Sequence, residues 1–126
     1  MKIVYDHQIF AMQEYGGVSR YFVELAKQLG TIADVELDLL APLHISRYLA
    51  EVETTKSIGI RVPKFPLSGK ITSFFNDLIT HSWLQKHDAD IIHATYYSKI
   101  KKPRDCMAKV VITVHDMIHE LYPDDF

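Results

Sequence analysis

The sequence has a single cysteine, Cys106, among 126 residues. That excludes an internal disulfide and a cysteine-rich zinc cluster, and it makes a reducing, cytoplasmic setting the expectation. Cys106 has no base beside it in the sequence, so a nucleophilic thiol is not expected. An excess of charge of one sign is also missing. Fourteen Lys and Arg face sixteen Asp and Glu, for a net charge of -2, and without a basic face no nucleic-acid partner is expected. No stretch approaches the roughly 18 apolar residues of a membrane span. The start, Met1-Lys2-Ile3-Val4-Tyr5-Asp6, turns polar too soon for a signal peptide, so a soluble chain is expected. Internal repeats, low-complexity tracts and flexible linkers are absent as well. What is plentiful is apolar side chain, 48% of residues, which suffices for one packed core but not two.

Hydrophobic spacing divides the chain into alternating strands and helices. Ile3-Val4-Tyr5 reads as a strand, and a loop carries the chain to Gly16-Gly17. Val18, Tyr21, Phe22, Leu25, Ala26 and Leu29 then follow a helical period, with Gly30 expected to end the helix in a positive-φ conformation. Residues 34–41 form a second predicted strand that Pro42 should terminate, and residues 43–57 carry a weaker helical signal. Ile60-Arg61-Val62-Pro63 reads as a brief third strand. Ile71, Phe74, Phe75, Leu78, Ile79 and Trp83 predict a helix over 70–86 that buries its aromatic face. Ile91-Ile92-His93-Ala94 and Val110 to Val114 complete the strands, the last so apolar that it should be central and covered on both sides. This alternation predicts an α/β fold, a doubly wound parallel sheet flanked by helices.

In such a sheet, ligands bind beyond the carboxyl ends of the strands. The residues there are rich in histidine and small polar groups: Asp6, His7 and then Tyr15-Gly16-Gly17 after the first strand, Thr95, Tyr96 and Tyr97 after the fourth, which itself carries His93, and His115-Asp116 after the fifth. Gly16-Gly17 directly precedes a helix, where free N–H groups and the helix dipole favour an anion such as a diphosphate. The same pair could equally serve to shape a tight turn. His115 would point into the crevice, with Asp116 placed to fix its tautomer, or it could hydrogen-bond within its own loop. His115-Asp116-Met117-Ile118-His119 imitates a two-histidine zinc motif, but that motif needs both histidines on one helical face, and His115 ends a β-branched run. No metal is expected. Lys99, Lys101, Lys102 and Arg104 could meet an anionic lipid or phosphate, or form a solvated loop. Tyr96-Tyr97 could stack on a sugar ring or pack.

Taken in order, Met1–Asp6, Tyr15-Gly16-Gly17-Val18-Ser19-Arg20-Tyr21, Asp90–Ala94 and Val111–Ile118 resemble the N-terminal half of a family 4 glycosyltransferase of the GT-B fold, in its mannosyltransferase-like branch. The resemblance implies one of two Rossmann-like domains facing a cleft, and a reaction that transfers a sugar from a nucleotide-diphosphate sugar to an acceptor with retained configuration, without a cofactor. It implies Gly16 and Gly17 near the donor diphosphate and His115, with Asp116 beside it, near the transferred sugar. His7, Tyr15, His93, Tyr96 and Tyr97 become candidate acceptor or sugar contacts. The acceptor would be a carbohydrate or a lipid-linked group, which admits peripheral contact at the inner face of a membrane. The resemblance also implies a nucleotide-binding domain C-terminal to Phe126. Residues 1–126 are therefore expected to be one acceptor-side domain of a truncated or split enzyme, unable to transfer sugar alone and prone to self-association through uncovered apolar surface. The alternative is a non-catalytic Rossmann-like module that binds a nucleotide, carbohydrate or protein partner. A third reading is a small metal hydrolase using His115 and His119.

Overall fold

Nine segments of regular structure follow one another among the described residues. A computed structural model describes residues 1–52, 56–64 and 68–116. They form β1 (Lys2–Tyr5), α1 (Gln8–Met12), α2 (Gly17–Leu29), β2 (Glu36–His44), a 3-10 turn (Tyr48–Glu51), β3 (Lys56–Arg61), α3 (Ser68–Lys86), β4 (Ile91–Ala94) and β5 (Lys109–Ile112). All the strand pairings are parallel, in the order β3-β2-β1-β4-β5. Strand alternation puts Ile3, Tyr5, Leu37 and Leu39 on one face, where they pack with Phe22, Val23 and Ala26 of α2. Ile92 faces the other way and packs with Leu84 of α3 and Ala108. Helices therefore cover both faces, and the expected doubly wound α/β sheet is the architecture found. Chain order reverses between β1 and β4, which makes the carboxyl ends of those strands the switch point where such sheets take ligands.

Several local expectations are corrected. Pro42 does not stop the second strand, because β1 pairs with β2 only as far as Leu39 and the β2–β3 register shifts between Leu40 and Leu43. A proline without an N–H is tolerated at such an irregularity. The bulge also requires Gly59, whose φ is +148° and whose Cβ would lie 1.8 Å from the Ala41 carbonyl oxygen. β3 consequently starts at Lys56, earlier than the apolar run at Ile60 suggests. The helical signal over 43–57 reduces to the 3-10 turn, with residues 53–55 outside the described set. Gly30 does cap α2, but with a right-handed φ of -63°; the positive φ of the following turn falls on Asp34, at 66°. α1 lies where a loop is expected, because five residues are too few to display a period.

Two larger corrections concern burial. β5 is not central: it lies at the edge of the sheet, paired only with β4 among the described residues, and Val110, Val111, Ile112 and Val114 are all exposed. α3 is turned inside out relative to its apolar stripe. Ile71, Phe74, Phe75, Leu78 and Ile79 are 40 to 65% exposed, whereas Thr72, Asn76 and Thr80 are buried. The reason lies in β2. Beyond the end of β1, Leu43 needs partners for its backbone, and Asn76 supplies both: its Oδ1 accepts from Leu43 N–H at 2.7 Å and its Nδ2 donates to Leu43 C=O at 2.9 Å. Those two bonds, together with buried Thr72 and Thr80, hold the carboxamide face of α3 against the sheet.

Candidate functional site

The switch point is built around one buried carboxylate. Asp6 Oδ1 accepts hydrogen bonds from Thr95 N–H at 2.9 Å and Thr95 Oγ1 at 2.6 Å, while Oδ2 accepts from Gln8 Nε2 at 2.6 Å. Thr95 Oγ1 in turn accepts from Ile9 N–H at 3.0 Å. The Gln8 carboxamide closes the arrangement, donating to Ser98 C=O and accepting from Ser98 N–H, both at 2.9 Å. Bonds to an ionised acceptor are the strong ones, so this network fixes the ends of β1 and β4 as one rigid partition. Surfaces suited to ligands lie on either side of it.

On the α2 side, His115 is exposed beyond β5, and its backbone N–H donates to Tyr97 Oη at 3.0 Å. Its ring meets Tyr21 edge-on at 5.1 Å and Phe22 at 5.7 Å between centroids. Asp116 follows it and is exposed too. Below His115, half-buried in β4, His93 bonds Thr113 Oγ1 through Nε2 at 2.8 Å and packs edge-on against Tyr5 and Phe22. Burial holds its pKa below the ordinary imidazole value, with Asp6 opposing and His115 adding to the shift. His93 is thus a neutral support under His115 at physiological pH. Tyr96 packs against the α2-side core and stacks at a tilt on Tyr97, which is exposed.

The glycine pair opens α2 one turn before Tyr21. At Gly16 the backbone is extended, a conformation any residue adopts, and at Gly17 an added Cβ would meet nothing within 4 Å. The turn itself therefore does not demand glycine at 17, whereas at Gly16 a Cβ would collide with the Gln13 carboxamide that caps Ser19 N–H. Of the first N–H groups of α2, that of Ser19 is taken by Gln13 Oε1 and that of Arg20 by Gly16 C=O. Those of Gly17 and Val18 have no partner among the described residues, and they carry the positive end of the helix dipole. Tyr15 lies alongside, exposed, with the Tyr48 ring at 5.8 Å and the Arg47 guanidinium at 5.7 Å.

On the α3 side, a cavity of about 400 Å³ is lined by Asp6, His7, Gln8, Asp77, Ser98 and Lys101 among others. His7 is buried, with Nε2 3.7 Å from Asp77 Oδ1. Burial lowers its pKa while Asp6 and Asp77 oppose, so this contact is one of a neutral ring with a carboxylate. The ion pair of the cavity is Asp77 with Lys101, at 2.8 Å.

His115, Tyr97, Tyr96 and His93 are thus brought together beside Tyr21 and Phe22 of α2, the helix that Gly16 and Gly17 open, whereas His7 faces the separate cavity. Gln8, Asp77 and Thr113 escape sequence reading, and Lys101 is read there only as an anion contact or part of a solvated loop. Gln8 had a signal, its place two residues beyond a strand end, while Asp77 and Lys101 meet only through folding. The basic segment is partly structural: Lys102 Nζ donates to the carbonyls of Cys106 and Ala108. His119, the second histidine of the zinc-like motif, lies outside the described residues. Among the described residues no group of three His, Cys, Asp or Glu side chains is placed to hold a metal, and no helix is long and apolar enough to cross a membrane. In comparisons with known proteins, residues 15–125 match the family described as Glycosyltransferase Family 4. No curated protein and no solved structure matches the chain.

Proposed function

The chain belongs to glycosyltransferase family 4, and from that premise we propose that it is the acceptor-side lobe of a retaining enzyme transferring a hexose from a nucleotide-diphosphate sugar to a carbohydrate or lipid-linked acceptor. The observation that carries this reading is the contact of Tyr21 with His115. It joins α2, whose first turn carries the two free N–H groups, to the histidine beyond β5. As the anomeric C–O bond breaks, negative charge accumulates on the departing diphosphate. Fixed N–H groups aimed at that charge stabilise the transition state without reorganisation, and Gly17 lets the phosphate come close. His115 hydrogen-bonds and orients the sugar, Asp116 shares its loop, and Tyr96 and Tyr97 form the wall beside it. The acceptor is assigned to the cavity holding His7, whose rim at Ser98 adjoins Tyr97. Groups for the nucleotide base and ribose are assigned to a second lobe, and no cofactor is assigned.

The reading is tested in the two-lobe enzyme. Gly17→Ala should leave the melting temperature unchanged, because its Cβ meets nothing, yet lower kcat/KM by at least about tenfold. His115→Ala should lower kcat by about a hundredfold. Wild-type turnover in both variants would refute the assignment. The 126-residue chain alone should release no nucleoside diphosphate from sugar nucleotides, and release would overturn the division of labour between lobes.

A further inference from the structure

We propose that the hollow at the carboxyl ends of β2 and β3 is a binding site for a phosphomonoester, distinct from the α2 N-terminus and from the cavity of His7. It has a volume of about 580 Å³ and is lined by His44, Ser46, Arg47, Gly59 and Arg61 among others, a size that suits a small organic molecule. The local register makes the space. β2 runs past the end of β1, its last residue His44 pairs with Arg61 at the end of β3, and the ladder shifts between Leu40 and Leu43. Gly59 can carry no side chain against the Ala41 carbonyl, so that stretch of the wall is bare backbone. His44 and Ser46 are buried and form the floor, whereas the Arg47 and Arg61 side chains are nearly half exposed.

Charge selects the guest. Arg47 and Arg61 reach from different segments to one point, Oε1 of Glu14: Arg47 Nε donates to it at 2.6 Å, and Arg61 Nη2 lies 3.8 Å away. The Arg47 bond, with Arg61 and Lys64 adding, holds the Glu14 carboxyl below its ordinary pKa. An anion is therefore already favoured where the guanidinium groups meet, and Glu14 neutralises only one of these three cations. Glu51, next to the wall residue Ala50, is engaged by Arg20 and Lys27. The terminal N–H groups of Arg47 and all those of Arg61 have no hydrogen-bond acceptor among the described residues. Two planar forks thus present paired donors of the kind that phosphate oxygens accept. The surplus of positive charge matches a phosphomonoester, which carries about −1.5 to −2 near pH 7, better than a carboxylate or a phosphodiester with a single charge. His44 is a built-in reporter. Burial, with Arg61 adding and the Ser46 backbone opposing, lowers its pKa, so an anion laid beside Arg61 should raise it.

Phosphate binding is measured with no sugar donor present, so its outcome is independent of the transfer reaction proposed above. The 126-residue chain is titrated with glucose 6-phosphate, inorganic phosphate, glucose and acetate while its amide and His44 ring signals are followed by NMR. Glucose 6-phosphate or inorganic phosphate should bind with a Kd below about 1 mM, shift the amides of Arg47, Gly59 and Arg61, and raise the His44 pKa, whereas glucose and acetate should do neither. Tighter binding of glucose 6-phosphate identifies a sugar phosphate as the ligand, and equal or tighter binding of inorganic phosphate identifies the free ion. Arg47→Gln with Arg61→Gln should weaken binding at least about tenfold with circular dichroism unchanged, since the ion pairs lost are exposed. Glu14→Gln removes the competing carboxylate and should tighten binding about threefold, a gain that a damaged fold cannot produce. No saturable binding, equal binding by the arginine variant, or no gain with Glu14→Gln would overturn the proposal. So would shifts confined to Gly17 and Val18, which would put the phosphate on the α2 N-terminus.

Discussion

At the scale of single residues, polar groups decide more than their number suggests. Asn76 is fully buried and takes both backbone groups of Leu43. Asn76→Ala should destabilise the fold by about 2–4 kcal/mol, since it removes two bonds and strands a donor and an acceptor; the urea midpoint reads this directly. Asn76→Leu would restore helix propensity and still fail to compensate. Histidines set the pH response. Burial is the largest cause holding His7, His44 and His93 below the ordinary value of 6.5. Their folded pKa values are depressed, so above pH 6.5 both folded and unfolded forms are neutral and stability is at its full value. As the pH falls below that, the unfolded chain takes up protons first and stability drops. The urea midpoint should therefore be lower at about pH 5.5 than at about pH 7.5, and His93→Gln should flatten part of that slope. A midpoint rising on acidification would contradict the burial of these rings. Sequence reading singled out His7 and His93 by their place at strand ends. It could not distinguish a ligand contact from a buried support, because that depends on Thr113 and Asp77, which approach only when the sheet is assembled.

At the scale of elements, period and propensity located what they physically control. The α2 stripe from Val18 to Leu29 was legible because all its members except exposed Tyr21 pack on one sheet face, and β4 was found at its true bounds. α3 was legible as a helix and wrong in orientation for an identifiable reason. Periodicity reports that one side is apolar, but which side faces the sheet depends on what the sheet lacks, and here it lacks partners for Leu43. β5 shows the same limit. Continuous apolarity is expected of a strand covered on both faces, yet β5 stands at the edge with both faces open among the described residues. Pro42 was misread because a proline breaks a ladder only where a ladder bond is required, and β1 has already ended there.

At the scale of the whole molecule, the Asp6 network joins the two ligand-facing surfaces mechanically. Thr95, held by Asp6, leads directly to Tyr96 and Tyr97, and Tyr97 holds the backbone of His115. On the other side, Gln8 carries the same carboxylate's hold to Ser98, at the rim of the cavity with His7 and Lys101. Loss of one carboxylate should therefore loosen both surfaces together. Asp6→Ala strands the buried Thr95 N–H and removes bonds to a charged acceptor, worth about 1.5–3 kcal/mol each when intact. A net loss of about 3–5 kcal/mol is expected, a large share of the 5–15 kcal/mol available to a domain. Asp6→Asn keeps an acceptor for Thr95 and should cost less than half as much. Hydrogen exchange separates coupling from mere destabilisation. In Asp6→Asn, under conditions where the fold is intact, the amides of Thr95, Ser98 and His115 should all lose protection while those of α2 keep theirs. Loss at Thr95 alone would mean that the two surfaces, though built on one partition, move independently.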